Sequence, residues 1–212
     1  MEKIGLFPIK NVLFPKSVLP LHVFEGRYIR LINLSFKNDI PFGINLKESG
    51  RIQEFGCLAK VTEVVRHFDD GRMDILLEGL TRYKILKREK GDSGYDIAEI
   101  TLIQDEDESL NSNLFLKCIE TYNSLADLLN SIDIKKIDTN KLMTTNPSYY
   151  LSQKSGLTLK QKYRILEITS ENERLEFILK HLKSVFPMIK EAEFVTKIVK
   201  NDGYYRPAYY QK

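Results

Sequence analysis

Apolar and polar residues alternate, or apolar residues gather in short runs, through the first half of the chain, and this pattern predicts β-strands. A run rich in β-branched residues, Cys57–Phe68, turns at Asp69-Asp70-Gly71 into Arg72–Glu78. Asp-Gly supplies the positive φ that a tight hairpin turn requires. Thr81–Arg88 and Tyr95–Ile103 continue the series. Residues 1–104 are therefore expected to form a compact barrel or sandwich.

One helix is expected among these strands. It follows Val18–Phe24, an apolar run with an internal proline that favours an edge or bulged strand. Apolar residues then recur at helical spacing through Glu25–Asn38, and Pro41 prevents the helix from continuing into the short strand Phe42–Leu46. Glu25 stands at the helix start, where the helix dipole favours a carboxylate. We expect it to cap the helix, with direct contact to a ligand as the alternative.

The apolar spacing becomes helical after an acidic run, Asp105–Glu108. Like charges in series favour an extended, solvated linker, so we place a domain boundary there, with a β subdomain over residues 1–105 and a helical bundle over residues 106–212. The first helix of the bundle has one apolar face. Its residues are Leu114, Cys118, Tyr122, Leu125, Leu129 and Ile132.

Three further helices carry start signals of their own. The residue pairs are Asn146 with Pro147, Thr158 with Gln161, and Ser170 with Glu173. The first pair places an N-cap ahead of a proline at the first helical position, and the other two have capping-box spacing. The last helix is expected over Glu171–Phe186, limited by Pro187, with a resumption over Ile189–Lys200. The Tyr-rich tail, Tyr204–Tyr210, is expected either to lie on the bundle as a frayed terminus or to stack on a partner.

Composition and charge narrow the class of protein. The 212 residues carry 32 Lys and Arg against 29 Asp and Glu, a net charge of +3, and the charges are spread evenly. Nucleic-acid binding usually needs concentrated positive charge, so nucleic acid is not the expected partner. No apolar run approaches the ~20 residues of a membrane span, and the N-terminus lacks a signal-peptide pattern. Two cysteines, Cys57 and Cys118, are expected to be reduced, partly buried thiols, which favours the cytoplasm.

Motifs for catalysis, nucleotide binding and metal binding are missing from the sequence. No Gly-x-x-x-x-Gly-Lys-Ser/Thr loop and no Gly-x-Gly occurs. His22, His67 and His181 have no metal-ligand spacing and no visible partner for acid–base chemistry, so they are expected to be structural or surface residues. We therefore expect no catalytic residue, no cofactor and no metal, and a protein that is not an enzyme.

Several stretches carry a family resemblance. They are Leu6-Phe7-Pro8, Val12–Pro15, Val18–Tyr28, Gly56–Val61, Glu78–Ile85, Leu159–Ile168 and Ser170–Leu175. In this order and spacing they strongly resemble the N-terminal, substrate-binding domain of Lon protease, whose opening runs roughly LPLFPL…VLFPG…LPLHIFEPRY. The resemblance spans about Ile4 to about Lys200. Gly26 departs from it, because many relatives have proline at that position.

The resemblance implies an α+β fold, with a PUA-like small β-barrel followed by an α-helical bundle. It also implies a non-catalytic domain that binds unfolded or damaged polypeptides in bacterial protein quality control. The chain resembles a stand-alone or excised form without the ATPase and peptidase modules of Lon. Full-length Lon, or another ATP-dependent protease, is then a candidate partner, with the chain as adaptor. PUA-like barrels elsewhere bind RNA, so an RNA-binding module is the alternative.

Candidate contact residues for a polypeptide are Phe14, Phe24, Arg27, Tyr28 and Arg30. Large aromatic residues and arginine are over-represented where binding energy concentrates. The alternative for Phe14, Phe24 and Tyr28 is a place in the core. The binding surface, on the barrel, the bundle or their seam, stays open, as do the identity of the bound proteins and the oligomeric state.

Overall fold

Six strands form one mixed sheet in the computed structural model, which describes residues 2–129, 134–139 and 146–200. The strands are β1 (Glu2–Ile9), β2 (Val18–Val23), β3 (Phe42–Glu48), β4 (Arg51–His67), β5 (Met73–Lys90) and β6 (Asp96–Leu102). Their order is β2-β5-β4-β3-β1-β6. The pair β1–β3 is parallel, and the other pairs are antiparallel. The helices are α1 (Gly26–Asn38), α2 (Ser112–Leu128), α3 (Pro147–Lys154), α4 (Leu159–Glu167) and α5 (Glu171–Lys200).

An additional pairing closes the sheet into a barrel. The C-terminal half of β5 pairs with β6, from Tyr83↔Leu102 to Lys90↔Asp96, while β5 also pairs with β4. The strands β1, β3, β4, β5 and β6 therefore form a closed ring. β2 pairs with the N-terminal part of β5, at an edge, as its internal proline predicts. The expected α+β fold with a small β-barrel is confirmed.

The strand β5 is longer than the sequence predicts. Arg72–Glu78 and Thr81–Arg88 were expected as separate strands on either side of Gly79, but β5 runs through Gly79 without a break. The glycine serves a close approach of two backbones, since a Cβ at this position would lie 2.1 Å from the Phe14 carbonyl oxygen. The Gly79 N–H donates to the Ser17 carbonyl at 2.9 Å. Glycine within a strand is thus a contact point here, not a turn.

The interior of the barrel is continuous with the buried face of α1. Tyr28, Leu31 and Ile32 on α1 belong to the same buried cluster as Phe7 and Phe42 on the strands. The spacing of the three helical residues is that of one helix face, which explains why the segment forms an amphipathic helix against the sheet.

The chain divides into two compact units. One is Met1–Asp107 with Gly156–Ser170, and the other is Glu108–Ser155 with Glu171–Lys212. The first break lies close to the boundary expected after residue 105. The segment that carries α4 differs from the expectation, because it groups with the barrel although the sequence assigned it to the helical half.

Two barrel residues hold α4. Arg82, on β5, is 2% exposed, and its Nη1 donates to the carbonyls of Leu166 (2.7 Å) and Ile168 (2.6 Å) at the end of the helix. The N–H of Phe55, on β4, donates to the Tyr163 hydroxyl at 3.2 Å. A capping box at Thr158 and Gln161 starts the helix, as the spacing predicts. These contacts explain why α4 groups with the barrel. The apolar spacing of the sequence does not predict them.

The last helix passes through a proline. α5 extends from Glu171 to Lys200 with Pro187 inside it, so the expected end at Pro187 is wrong. A proline inside a helix costs about 3 kcal/mol, because it removes one hydrogen bond and crowds one turn. Lys190, Glu191 and Ala192, three to five residues after the proline, favour a helix and offset part of that cost. Ile132 and the Tyr-rich tail lie outside the described residues.

Both cysteines, Cys57 and Cys118, are free and buried, as expected. Burial raises the pKa of the Cys118 thiol from 9.0 to about 12 and raises that of Cys57 further. Neither thiol is therefore a ready nucleophile in the folded chain. Among the described residues, no helix combines the length and apolar character that a membrane span requires.

Candidate functional site

Two adjoining cavities open in the barrel unit, where β1, β2 and β3 end and α1 begins. The larger, the apolar cavity, has a volume of about 380 Å³. Its lining residues are Phe7, Pro8, Ile9, Lys10, Leu21, His22, Phe24, Glu25, Arg27, Tyr28 and Lys47. The smaller, the polar cavity, has about 160 Å³ and shares four residues with the first, namely Pro8, Arg27, Tyr28 and Lys47. Because these residues form a common wall, the two cavities make one cleft.

Strand register explains how residues from distant parts of the chain meet at this cleft. In the parallel pair β1–β3, Ile9 lies beside Leu46. The side chains of the next residues, Lys10 and Lys47, therefore lie on the same side of the sheet, where both line the apolar cavity. The neighbouring strand β2 ends at a buried anchor, Val23, which is 1% exposed. The chain then crosses the mouth of the cleft before α1 begins.

Glu25 takes the N-cap position of α1 without capping it through its side chain. The expected cap is therefore wrong in this respect. The Glu25 carboxylate accepts hydrogen bonds from Arg27 instead, from Nε at 3.0 Å and from Nη2 at 2.5 Å. Main-chain bonds start the helix, because the Glu25 carbonyl accepts from the N–H groups of Tyr28 (2.8 Å) and Ile29 (3.0 Å).

A stack of side chains forms the common wall. The Tyr28 ring, 6% exposed, stacks on Phe7 with centroids 4.1 Å apart. The Arg27 guanidinium carbon lies 4.6 Å from the Tyr28 ring centroid, a cation–π contact. Burial raises the pKa of the Tyr28 hydroxyl, and the Arg27 charge opposes part of that rise. The hydrogen bond to Glu25 raises the pKa of Arg27, so the wall carries a permanent positive charge.

Phe24 stands at the rim of the apolar cavity with 64% of its surface exposed. One face is supported by the His22 ring, at a centroid distance of 6.1 Å and an interplanar angle of 22°. His22 is held in turn by Asp74, whose Oδ1 lies 2.6 Å from Nδ1, and by an edge contact with Phe68. An exposed aromatic ring on such a support loses little freedom when a ligand covers it.

Three of the five predicted contact residues meet at the cleft, namely Phe24, Arg27 and Tyr28. Phe14 does not, because it is 1% exposed and belongs to the core. Arg30 lies further along α1 and does not line the cleft; its Nη2 donates to the Ser93 carbonyl at 2.8 Å. The core alternative therefore fits Phe14 and also Tyr28, which is 6% exposed within the buried cluster, and it does not fit Phe24.

The sequence missed most of the charged residues of the cleft. Arg88 and Lys90, at the end of β5, flank Asp96 at the start of β6, with Lys90 Nζ 2.6 Å from Oδ1 and Arg88 Nε 3.8 Å from Oδ2. If β5 and β6 are paired as a hairpin about the loop between them, Lys90 lies opposite Asp96, so the sequence did contain a signal for this pair. Lys47 has no such signal, because the parallel pair that positions it is invisible in the local pattern.

Positive charge dominates the cleft. Five cationic side chains line it, namely Lys10, Arg27, Lys47, Arg88 and Lys90, against two carboxylates, Glu25 and Asp96. That excess equals the net charge of the whole chain, +3. In the described ranges of the chain, no three His, Cys, Asp or Glu side chains gather to hold a metal ion. An apolar group next to an anionic group is the ligand chemistry that these side chains fit.

Comparison with protein families gives one match over most of the chain. The family model is described as the ATP-dependent protease La (LON) substrate-binding domain, and it matches residues 3–184. Similar curated proteins are the Lon protease of Cytophaga hutchinsonii, 24% identical over 91% of this chain, and that of Buchnera aphidicola subsp. Baizongia pistaciae, 26% identical over 93%. The matches cover 26% and 27% of those proteins, so the chain spans about a quarter of their length.

Solved structures share the fold. A Lon N-terminal domain protein from Xanthomonas campestris superposes with a TM-score of 0.68 at 22% identity, covering 85% of this chain and 98% of that one. The N-terminal domain of a Mycobacterium avium complex Lon protease gives a TM-score of 0.65 at 20% identity, covering 86% and 98%. At these identities the likeness establishes the fold.

Proposed function

The chain belongs to the family of Lon substrate-binding domains, and from this premise we propose that it binds segments of unfolded or damaged polypeptide in the cleft. The resemblance noted in the sequence is thereby confirmed at the level of the family. The observation that carries the proposal is the exposed Phe24 ring above an open apolar cavity. Tyr28 and Arg27 form the fixed wall beside it.

Unfolded chains expose the side chains that folded chains bury. The apolar cavity, at about 380 Å³, lies within the size range of ligand pockets and has room for a large apolar side chain. Covering the Phe24 ring removes apolar surface from water at roughly 25 cal/mol per Å². The edge strand β2 borders the cavity through Leu21 and His22, so an extended segment has a strand to lie against.

We further propose that the chain acts by binding alone, as an adaptor to a separate ATP-dependent protease in the cytoplasm. This rests on the family description, which is that of a substrate-binding domain of an ATP-dependent protease. The comparisons lend no support to the alternative of RNA binding.

A binding titration with matched variants tests the proposal. The probe is a fluorescently labelled test protein, reduced and carboxymethylated so that it stays unfolded, with the native form of the same protein as reference. F24A should weaken binding of the unfolded probe about tenfold, because truncating an aromatic side chain that a ligand covers costs about 1–2 kcal/mol or more.

The control is F36A, since Phe36 is 54% exposed on α1 and does not line the cleft. It should bind as the unaltered chain does. Equal binding of the unfolded and native probes, or an F24A variant that binds as tightly as F36A, would contradict the proposed function.

A further inference from the structure

The polar cavity is lined by more cationic side chains than carboxylates. Arg27, Lys47, Arg88 and Lys90 line it, and Asp96 is the one carboxylate among its lining residues. Asp96 is already engaged by Lys90 at 2.6 Å and lies 3.8 Å from Arg88. Glu25, outside this cavity, engages one edge of the Arg27 guanidinium. Of these four cations, Arg27 and Lys47 also line the apolar cavity, so they are the donors that an anionic group beside an apolar group would meet.

Both of these cations stand on the common wall of the cleft. Lys47 is exposed, and within the described ranges no ion pair engages its ammonium group. The bonds of Arg27 to Glu25 use Nε and Nη2, which leaves Nη1 without a recorded partner in the part of the chain that the structure describes. The unused donors of Lys47 and Arg27 thus lie at the border between the apolar cavity and the polar cavity.

We infer that the cleft takes the C-terminal end of a polypeptide whose last residue is apolar, an inference that rests on the proposed function. The α-carboxylate occupies the polar cavity, on Lys47 and Arg27, and the last side chain occupies the apolar cavity beneath Phe24. Carboxylates and cationic donors form the stronger class of hydrogen bonds, with guanidinium donors suited to paired contacts. A cavity of about 160 Å³ has room for a carboxylate and a few water molecules.

The adjacency of the two cavities favours a chain end over an internal acidic residue. Because the cavities share a wall, the apolar group and the anionic group of the ligand lie side by side, as the side chain and carboxylate of one residue do. In an extended segment, neighbouring side chains point to opposite faces, and side chains on one face are about 7 Å apart. An internal Asp or Glu therefore fits the cleft less well.

A peptide series distinguishes these cases. The probes are one fluorescein-labelled peptide that ends in Leu-Phe with a free carboxylate, the same peptide amidated at its end, and an amidated peptide with Asp two positions after Phe. The free acid should bind about 10- to 100-fold more tightly than its amide, the range for a hydrogen bond to a charged group. The difference should shrink as salt screens the exposed lysine.

Two matched variants locate the carboxylate. K47M should remove most of the difference between acid and amide, while K37M, which deletes the same charge from the exposed surface of α1, should preserve it. Equal binding of acid and amide by the unaltered chain would overturn the inference and leave the proposed function standing. Binding of the internal Asp peptide as tightly as the free acid would also overturn it. If neither the peptides nor the unfolded test protein binds, the proposed function itself fails.

Discussion

Replacing Arg82 by methionine should release α4 from the barrel. The Arg82 side chain is 2% exposed and donates at 2.7 and 2.6 Å to the carbonyls of Leu166 and Ile168, while its Nη2 pairs with Asp105. Methionine fills much of the same space but removes the donors from all three acceptors. Removing one partner of a buried, charged network costs about 3–5 kcal/mol. We expect R82M to lower the free energy of unfolding of the barrel unit by this amount.

Hydrogen exchange followed by mass spectrometry resolves where the loss occurs. Peptides that cover α4, Leu159–Glu167, should exchange roughly a hundredfold to a few thousandfold faster in R82M, the factor that corresponds to about 3–5 kcal/mol. The control is K87M on the same strand, because Lys87 is exposed. An exposed lysine contributes about 0–1 kcal/mol through its ion pairs, so K87M should leave the exchange of α4 nearly unchanged.

A particular result would refute this reasoning. If α4 exchanges at the same rate in R82M as in K87M, and the urea midpoints agree, the guanidinium does not hold the helix. The grouping of Gly156–Ser170 with the barrel would then need another cause.

Three further predictions concern single positions. G26P should stabilise the folded chain by about 0.4–1 kcal/mol and so raise its melting temperature, because Gly26 is the first residue of α1, a position that proline fits. A drop in melting temperature would contradict this. G79A should lower the free energy of unfolding by about 1–3 kcal/mol or more, since its Cβ would meet the Phe14 carbonyl oxygen at 2.1 Å. In the control G26A the nearest atom is 3.9 Å away, and equal urea midpoints for the two variants would contradict the clash. Because the pKa of Cys118 is raised from 9.0 to about 12 in the folded chain, the unfolded chain loses the thiol proton first, and the free energy of unfolding falls as pH rises from about 9 towards 12. C118A should make this fall less steep by up to about 1.4 kcal/mol per pH unit. An unchanged slope of unfolding free energy against pH would count against the prediction.

Local signals in the sequence predict local structure well. The capping box at Thr158 and Gln161 forms as its spacing indicates, because every atom in it belongs to one helical turn. The hairpin turn at Asp69–Gly71 forms as well, with Gly71 at a φ of +87°. Within the site, Phe24 and Tyr28 can be identified from the sequence because large aromatic residues are over-represented where binding energy concentrates.

Long-range partners stay hidden in the sequence. The parallel pairing of β1 with β3, which brings Lys10 beside Lys47, joins segments far apart in the chain and has no turn signal between them. Arg82 looks like an ordinary polar position on a strand, and its burial follows only from the carbonyls of α4 that it meets. Phe14 was grouped with the binding residues because residue type alone does not separate a core aromatic from an exposed one.

Site-specific photo-crosslinking tests polypeptide binding in the cleft most directly. The photoreactive residue p-benzoylphenylalanine replaces Phe24 in one sample and Phe36 in another, and each is irradiated with the unfolded test protein. Both positions are exposed, at 64% and 54%, so accessibility alone does not separate them. Binding in the cleft predicts adducts from position 24 that excess unlabelled unfolded protein suppresses, with few from position 36. Equal adducts from both positions, or none from position 24, would contradict it.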